Sequence, residues 1–264
     1  MIAPWPAAFA NTARKFVRTL ARDAVAFALP LHCAACATAL DANEPGVICG
    51  RCWSRCVQLP RPQCDRCGHP RPPAGGRCRW CELLPPFVRA ARSWCWVPER
   101  AGGEIVHALK YRGWRATANG MAERMARLDW PRDVVAERTM LAPVPLAASR
   151  QRERGFNQSA LLADALGALW RIPTRADLVL RRTSSESQTR LTPEERRRNV
   201  HGCFAAPDSA RAELRGAHVV IVDDVVTTAA TLNACAAALL DGGARIVSYV
   251  TFGRARASGD RFAS

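Results

Sequence analysis

The sequence predicts an α/β protein whose parallel sheet follows a small, metal-stabilised domain rich in cysteine. Two observations lead to this prediction: a strand–helix–strand pattern between residues 218 and 252, and the crowding of ten of the twelve cysteines between Cys33 and Cys95. With 264 residues, 48% of them hydrophobic and 23% charged, the composition is that of a globular protein. It excludes a disordered, collagen-like or coiled-coil chain, and the length suits one full domain with a smaller one.

The chain is strongly basic, with a net charge of +15 at pH 7. Nearly all of this charge comes from arginine, because Lys15 and Lys110 are the only lysines. Arginine binds phosphate and carboxylate groups in a planar, bidentate geometry, which favours an anionic ligand or a nucleic acid. A basic surface exposed to solvent accounts for the same excess, so charge alone does not decide the function.

Residues 1–30 are predicted to form an amphipathic helix, because apolar residues recur at helical spacing from Phe9 to Ala24. We expect this helix to dock on the protein's own core, with binding to a membrane surface as the alternative. Its interior charges and short apolar run do not fit a signal peptide, and no apolar stretch reaches about 18–20 residues. We therefore expect a cytoplasmic protein without stable membrane insertion.

Eight cysteines form four Cys-x-x-Cys pairs, a spacing that lets two thiolates face one ion. A reducing cytoplasm disfavours disulfides, so the pairs predict zinc. Taken in order along the chain they give two sites, and the predicted ligands are Cys33, Cys36, Cys49, Cys52, Cys64, Cys67, Cys78 and Cys81. Crossed pairing is the alternative, as is replacement of a ligand by His32, Cys56 or His69.

The two zinc sites are expected to be structural. The proline-punctuated segment from Pro30 to Pro86 is too small to bury a sufficient core, so the metal supplies its folding free energy. Four thiolates leave no open coordination position for a substrate. Gly68, directly after Cys67, suits the tight turn of a zinc knuckle because glycine tolerates positive φ.

Beyond Pro86 the pattern becomes an alternation of strands and helices, which indicates a parallel sheet. The run His218–Val222 is continuously apolar, as in a strand buried on both faces. The predicted strands are 93–97, 139–143, 178–181, 218–222 and 245–252, and the predicted helices are 103–110, 116–128, 157–170 and 231–240.

The most informative segment is Val219–Thr231, where an apolar strand ends in Asp223 and Asp224 and a loop of small and hydroxyl residues leads into a helix. Ligands of open α/β sheets bind beyond the carboxyl ends of the strands, and a helix amino terminus suits a phosphate. The two carboxylates would repel that phosphate unless they met hydroxyl groups or Mg²⁺. A ligand with a phosphate, neighbouring ribose hydroxyls and a magnesium-bound diphosphate would satisfy all of these demands.

This segment resembles the signature of type I phosphoribosyltransferases that binds phosphoribosyl pyrophosphate (PRPP). The resemblance implies that Asp223 and Asp224 hold the ribose hydroxyls. It also implies that a loop with hydroxyl groups and backbone N–H groups cradles the 5′-phosphate, with binding residues Val225, Val226, Thr227, Thr228, Ala229, Ala230 and Thr231. The family pattern usually has glycine where this chain has Ala229. An alanine is tolerable there if its φ is negative and no ligand atom presses against the methyl group.

Four cysteine pairs before such a domain resemble the ComF family, the ComFC/GntX-type proteins associated with competence and DNA uptake. The resemblance extends over nearly the whole chain after Pro30. Its matching pieces are Ala108–Gly113, Val144–Leu146, Arg154–Gln158, Gln188, Leu191, Arg197, Asn199 and Phe204. It implies a double zinc ribbon at 31–86 and, at 87–264, a type I phosphoribosyltransferase domain with a Rossmann-like parallel sheet and a flexible hood at 181–199.

The same resemblance implies that the loop after the 139–143 strand grips the pyrophosphate. Arg154 is the leading residue for this role and Arg150 the second, although a solvated helix face is the alternative for these arginines. Two functions follow. The first is transfer of a phosphoribosyl group from PRPP and Mg²⁺ to an acceptor. The second is a non-catalytic module of DNA uptake that binds single-stranded DNA or a competence helicase and keeps a vestigial or sensory PRPP pocket.

Overall fold

The architecture is given by a computed structural model, which describes residues 31–41, 44, 46–71, 78–182 and 202–256. The helix predicted for residues 1–30 lies outside the described residues, as does nearly all of the predicted hood. In the described part of the chain, no helix combines the length and the apolar character that crossing a membrane requires.

The centre of the protein is a four-stranded, fully parallel sheet, which confirms the predicted fold class. Its strands are β1 Val88–Val97, β2 Arg138–Pro143, β5 His218–Val226 and β6 Ile246–Ala255. They lie in the spatial order β1-β6-β5-β2. The predicted end of the β5 strand at Val222 is wrong, because Asp223 and Val225 still pair with Thr251 and Gly253 of β6. The acidic pair therefore lies inside the strand.

Both faces of the sheet are covered, which explains the continuous apolar run in β5. Val220 and Val222 belong to one hydrophobic cluster, whereas Val219 and Ile221 belong to the other, as alternation along a strand requires. Helices on the first face are α3 Arg100–Tyr111, α4 Thr117–Ala126 and α7 Gln158–Trp170, and helix α9 Ala230–Asp241 covers the second.

The cysteine-rich segment packs along the outer edge of the sheet. The N–H of Ala91 donates to Arg66 O at 2.7 Å and the N–H of Trp96 to Val57 O at 2.8 Å, so backbone groups of the edge strand β1 are satisfied. Its first half joins the cluster on the α3 face, while Cys67 and Trp80 of its second half join the opposite cluster. The segment thereby reaches both faces of the sheet.

The remaining elements are short. They are α1 Gly50–Ser54, α2 Arg79–Glu82, α5 Arg132–Glu137, α6 Ala148–Arg154, the two-residue strands β3 Leu180–Arg181 and β4 Phe204–Ala205, a 3-10 turn at Asp208–Ala210, and α8 Arg211–Leu214. Strands β3 and β4 pair antiparallel, so they bring together the two ends of the segment predicted as a hood. Helix α6 lies where the sequence predicted part of a loop.

Candidate functional site

The two adjacent carboxylates of β5 meet residues from two neighbouring helices. Asp223 Oδ1 accepts a hydrogen bond from Ser159 Oγ at 2.7 Å, at the beginning of α7. Asp224 is 3% exposed, and its Oδ2 lies 2.5 Å from Lys110 Nζ, near the end of α3. Lys110 thus neutralises a buried charge. The sequence could not place these partners, since each lies more than sixty residues from the carboxylate it contacts.

The acidic pair has an unusual protonation equilibrium. Desolvation raises the pKa of Asp223 to about 8, and the negative charge of Asp224 adds to the effect. The hydrogen bond from Ser159 acts in the opposite direction by favouring the carboxylate. Near neutral pH the Asp223 carboxyl group therefore holds a proton. A ligand that binds the carboxylate form would displace this proton.

The segments Ala108–Gly113 and Arg154–Gln158, singled out in the sequence, lie against each other beside the carboxylates. The guanidinium carbon of Arg154 is 4.8 Å from the Tyr111 ring centroid, and its Nη1 donates to Gln158 Oε1 at 3.0 Å. Gly155 ends helix α6 at a φ of +72°, which glycine adopts without strain. These contacts fix Arg154 against Tyr111, the residue that follows Lys110 in the chain.

The loop after β5 leaves a helix amino terminus open. Thr227, Thr228 and Thr231 are exposed, and helix α9 begins at Ala230 without a side-chain cap on its first turn. Uncapped N–H groups at the start of a twelve-residue helix are suited to an anion. Val226 is buried below them and anchors the loop to the core.

Ala229 departs from the expectation based on sequence, because its φ is +59° rather than negative. This left-handed conformation costs an alanine about 1–2 kcal/mol. Ala229 is 4% exposed and lines a small internal cavity together with Trp80, Leu232 and Arg254. The residue is therefore buried, but its positive φ does not meet the condition under which an alanine is expected to be tolerable here.

The arginines predicted on a loop lie instead on helix α6, because 148–154 forms two helical turns ended by Gly155. Arg150 and Arg152 are exposed on this helix. Beside it lies a cavity of about 770 Å³ between α6 and the β3 end of the predicted hood. Its polar lining includes Ser149, Gln151, Arg152, Asn157, Arg181 and Arg182. No local pattern in the sequence predicts this cavity, which forms only when α6 and β3 come together.

The eight paired cysteines gather into two clusters of four, in the order of the chain. In the first cluster the Sγ atoms of Cys33 and Cys52 are 3.8 Å apart, as are those of Cys36 and Cys49. Tetrahedral zinc with Zn–S bonds of about 2.3 Å places its sulfurs about 3.8 Å apart. The thiols therefore fit a zinc ion as they stand.

The second cluster is somewhat tighter, with 3.5 Å between the Sγ atoms of Cys64 and Cys81 and 3.2 Å between those of Cys67 and Cys78. Among the described residues, His32, Cys56 and His69 belong to neither cluster, so the structure gives no support to their substitution as ligands. Burial raises the pKa of the Cys67 thiol, so a cation is needed to hold it as a thiolate. The two clusters support structural zinc at both positions.

Substitution of Gly68 by alanine is expected to destabilise the second cluster. Gly68 has a φ of +66°, and an added Cβ would collide with the carbonyl oxygen of Ala91. We expect a loss on the order of 2–4 kcal/mol in the free energy of unfolding, measured by denaturant titration. The matched control is Gly216→Ala, where φ is +73° but the space is open, and it should cost only about 1 kcal/mol. Equal losses in the two variants would contradict this packing.

Comparison with known proteins accounts for both parts of the chain. The family model described as "Double zinc ribbon domain" matches residues 24–82, and the model described as "Phosphoribosyl transferase domain" matches residues 172–261. Among solved structures, the hypoxanthine phosphoribosyltransferase of Trypanosoma cruzi aligns over 58% of this chain and 70% of its own, with 21% identity and a TM-score of 0.32.

Related sequences extend over most of the chain. The DNA utilization protein YhgH of Salmonella typhi is 34% identical over 235 residues, which cover 83% of this chain and 95% of the relative. The competence protein ComFC of Bacillus subtilis is 28% identical over 202 residues, or 74% of this chain and 79% of the relative. Both family models match in the expected order, and the similarity to YhgH covers most of the chain. The chain therefore belongs to the ComF family of double zinc ribbon and phosphoribosyltransferase-domain proteins.

Proposed function

We propose that this protein binds PRPP together with Mg²⁺ and transfers the phosphoribosyl group to an acceptor. The observation that carries the proposal is the acidic pair of β5, which directly precedes the uncapped amino terminus of α9. The phosphoribosyl transferase family match, which includes this segment, supports it. In this proposal residues 31–86 form a structural double zinc ribbon and residues 87–264 form the transferase domain. The protein is proposed to be cytoplasmic.

In this proposal the ligand lies along the carboxyl edge of the sheet. Asp223 and Asp224 accept hydrogen bonds from the ribose hydroxyls. The N–H groups of residues 225–231 and the hydroxyls of Thr227, Thr228 and Thr231 bind the 5′-phosphate. A carboxylate suits a hydroxyl donor and a helix amino terminus suits a phosphate, so each ligand group meets the complementary charge.

The leaving pyrophosphate requires cations, and Lys110 and Arg154 are the leading candidates. Lys110 is within reach because it already contacts Asp224, and Arg154 is held by Tyr111 and Gln158. Arg150, exposed on α6, is the second choice. Mg²⁺ prefers oxygen ligands such as the carboxylates of Asp223 and Asp224. A bound Mg²⁺ would neutralise charge on the pyrophosphate. Transfer then depends on positioning and electrostatic stabilisation.

Lys110 is proposed to change partners when the ligand binds. In the free protein its ammonium group compensates the buried charge of Asp224. Ribose hydroxyls that donate to Asp224 would release Lys110 toward the anionic pyrophosphate. In the free protein the lysine avoids an uncompensated buried carboxylate, and in the complex it would offset charge on the pyrophosphate.

The test of transfer is release of pyrophosphate from PRPP in the presence of a panel of nucleobase and amine acceptors. We expect release that depends on one acceptor class and falls about 100-fold in Lys110→Met. The matched control is Asp133→Asn, an exposed carboxylate that pairs with Arg89 at the opposite end of β1, which should match the wild type. Absence of release with every acceptor, in protein that binds PRPP, would contradict the transferase and leave a binding module.

A second function is favoured by the net charge of +15 and by the name "DNA utilization protein" carried by relatives. In this proposal the protein binds single-stranded DNA, alone or with a helicase, and its PRPP pocket senses nucleotides. The distinguishing measurement is the dependence of single-strand affinity on salt. A steep slope of log affinity against log salt concentration indicates contacts to many phosphates, whereas a flat slope would count against a DNA-binding role.

A further inference from the structure

Arg254, near the end of β6, is buried with an exposed fraction of 1%. Its Nη2 donates to the carbonyl oxygen of Cys67 at 2.6 Å, and its Nε donates to Ser93 Oγ at 3.3 Å. Its guanidinium carbon lies 4.8 Å from the Trp80 ring centroid. Its Nη1 has no hydrogen-bond partner within the part of the chain that the structure describes.

A buried guanidinium needs a negative counter-charge, because it stays protonated and its desolvation is costly. Across the described ranges of the chain, Arg254 forms no ion pair with a carboxylate. The candidate counter-charge is the second cysteine cluster, because Arg254 Nη2 donates to the carbonyl oxygen of its member Cys67. Neighbouring Arg92, by contrast, donates from Nε, Nη1 and Nη2 to three backbone carbonyl oxygens, so each of its side-chain nitrogens has a partner.

Zinc binding changes the net charge of the second cysteine cluster. Four thiolates and one Zn²⁺ carry a net charge of −2, whereas four protonated thiols are neutral. A cationic group fixed beside the ligands therefore stabilises the zinc-bound state and is left uncompensated in the zinc-free state. Groups around a metal site that act in this way typically change metal affinity by 10–100-fold.

We infer that Arg254 is the buried counter-ion of a zinc ion held by Cys64, Cys67, Cys78 and Cys81, and that it couples this zinc to the loop after β5. The coupling follows from the sheet register, in which Arg254 pairs with Val226. The small cavity beside Arg254 is also lined by Cys67, Trp80 and Ala229, so one internal space joins the zinc cluster and the loop. The inference does not rest on phosphoribosyl transfer.

The first test compares Arg254→Met with the wild type, with and without zinc, by thermal unfolding and by chelator competition. Methionine keeps an unbranched apolar chain but removes the charge. With zinc, the variant should unfold at a lower temperature and lose zinc from the second cluster at a 10–100-fold lower chelator concentration. Without zinc it should be more stable than the wild type, because it removes an uncompensated buried charge. A purely structural arginine would lower stability in both states.

Alkylation of individual cysteines during chelation, followed by mass spectrometry, assigns the zinc loss to one cluster. Cys64 and Cys81 should become reactive early in Arg254→Met, while Cys36 and Cys49 should react as in the wild type. The matched control is Arg112→Met, because Arg112 also donates to a carbonyl of a zinc knuckle, that of Ala34, but is 44% exposed and pairs with Glu104. It should leave both clusters unchanged.

Arg254→Lys keeps the charge without the planar guanidinium and should retain zinc at the second cluster. Loss of zinc from this variant to the same extent as from Arg254→Met would overturn the counter-ion role. Hydrogen exchange of the wild-type protein provides a test that needs no variant. Removal of zinc should increase exchange in residues 226–232, and unchanged exchange in this segment would overturn the coupling to the loop.

Discussion

Removal of zinc by a chelator is expected to unfold the cysteine-rich segment and to lower the melting temperature of the whole protein. Structural zinc contributes about 10–16 kcal/mol in small zinc domains, and this segment holds two four-cysteine clusters. Cys33, Cys52 and Cys67 are members of the hydrophobic clusters that cover the sheet, so their displacement disturbs the sheet as well. Circular dichroism and the fluorescence of Trp80, which packs beside the second cluster, report the change.

Added zinc should restore the melting temperature, whereas Mg²⁺, which prefers oxygen ligands, should not. Metal analysis should return two zinc ions per chain before chelation, one for each cluster. A protein that melts at the same temperature after metal analysis shows complete zinc removal would contradict a structural role for the metal. Substitution of Cys36 or Cys81 by serine should reproduce the loss at one cluster while the other keeps its zinc.

The affinity for PRPP is expected to increase with pH up to about 8 and then to level off. Desolvation and the charge of Asp224 raise the pKa of Asp223 to about 8, so at pH 7 the site holds a proton. A ligand that donates its hydroxyls to the carboxylate must displace that proton. Affinity should therefore rise about fivefold between pH 7 and pH 8, above the range in which phosphate groups titrate.

Folding stability depends on the same proton, but it should fall as the pH rises, whereas the affinity for PRPP should increase. The pKa of Asp223 is higher in the folded than in the unfolded chain, where it is near 3.8. Its contribution to stability is therefore complete below pH 3.8 and is lost as the pH rises through about 8. Asp223→Asn should remove both pH effects. Calorimetry in two buffers of different ionisation enthalpy measures the proton release, and binding at pH 7 without proton release would contradict the raised pKa.

Much of the fold could be predicted because burial leaves a regular trace in the sequence. The run at 218–222 is apolar without alternation because both faces of β5 are covered. The strand end was wrong because Asp223 and Asp224 look like a boundary, although pairing with β6 continues through Val226. Backbone pairing between distant strands leaves no such local trace.

The sequence predicted the types of residue in the site better than it predicted the contacts between them. Cysteine spacing indicated the zinc ligands, and the acidic pair before a hydroxyl-rich loop indicated the ligand-binding edge. The partnership of Lys110 with Asp224 depends on how α3 packs against the sheet, which the sequence does not encode locally. The positive φ of Ala229 and the burial of Arg254 also depend on tertiary structure. The sequence alone does not distinguish these residues from an exposed alanine or arginine.

Calorimetric titration of PRPP with Mg²⁺ into zinc-loaded protein, beside the variant Asp223→Asn/Asp224→Asn, tests whether the β5 carboxylates form the PRPP site. The wild type should bind PRPP at one site per chain, and the double variant should not bind it. Asp133→Asn, with an intact acidic pair, should bind as the wild type does. No binding by the folded wild type, or equal binding by the double variant, would contradict the assignment of the β5 carboxylates to the PRPP site.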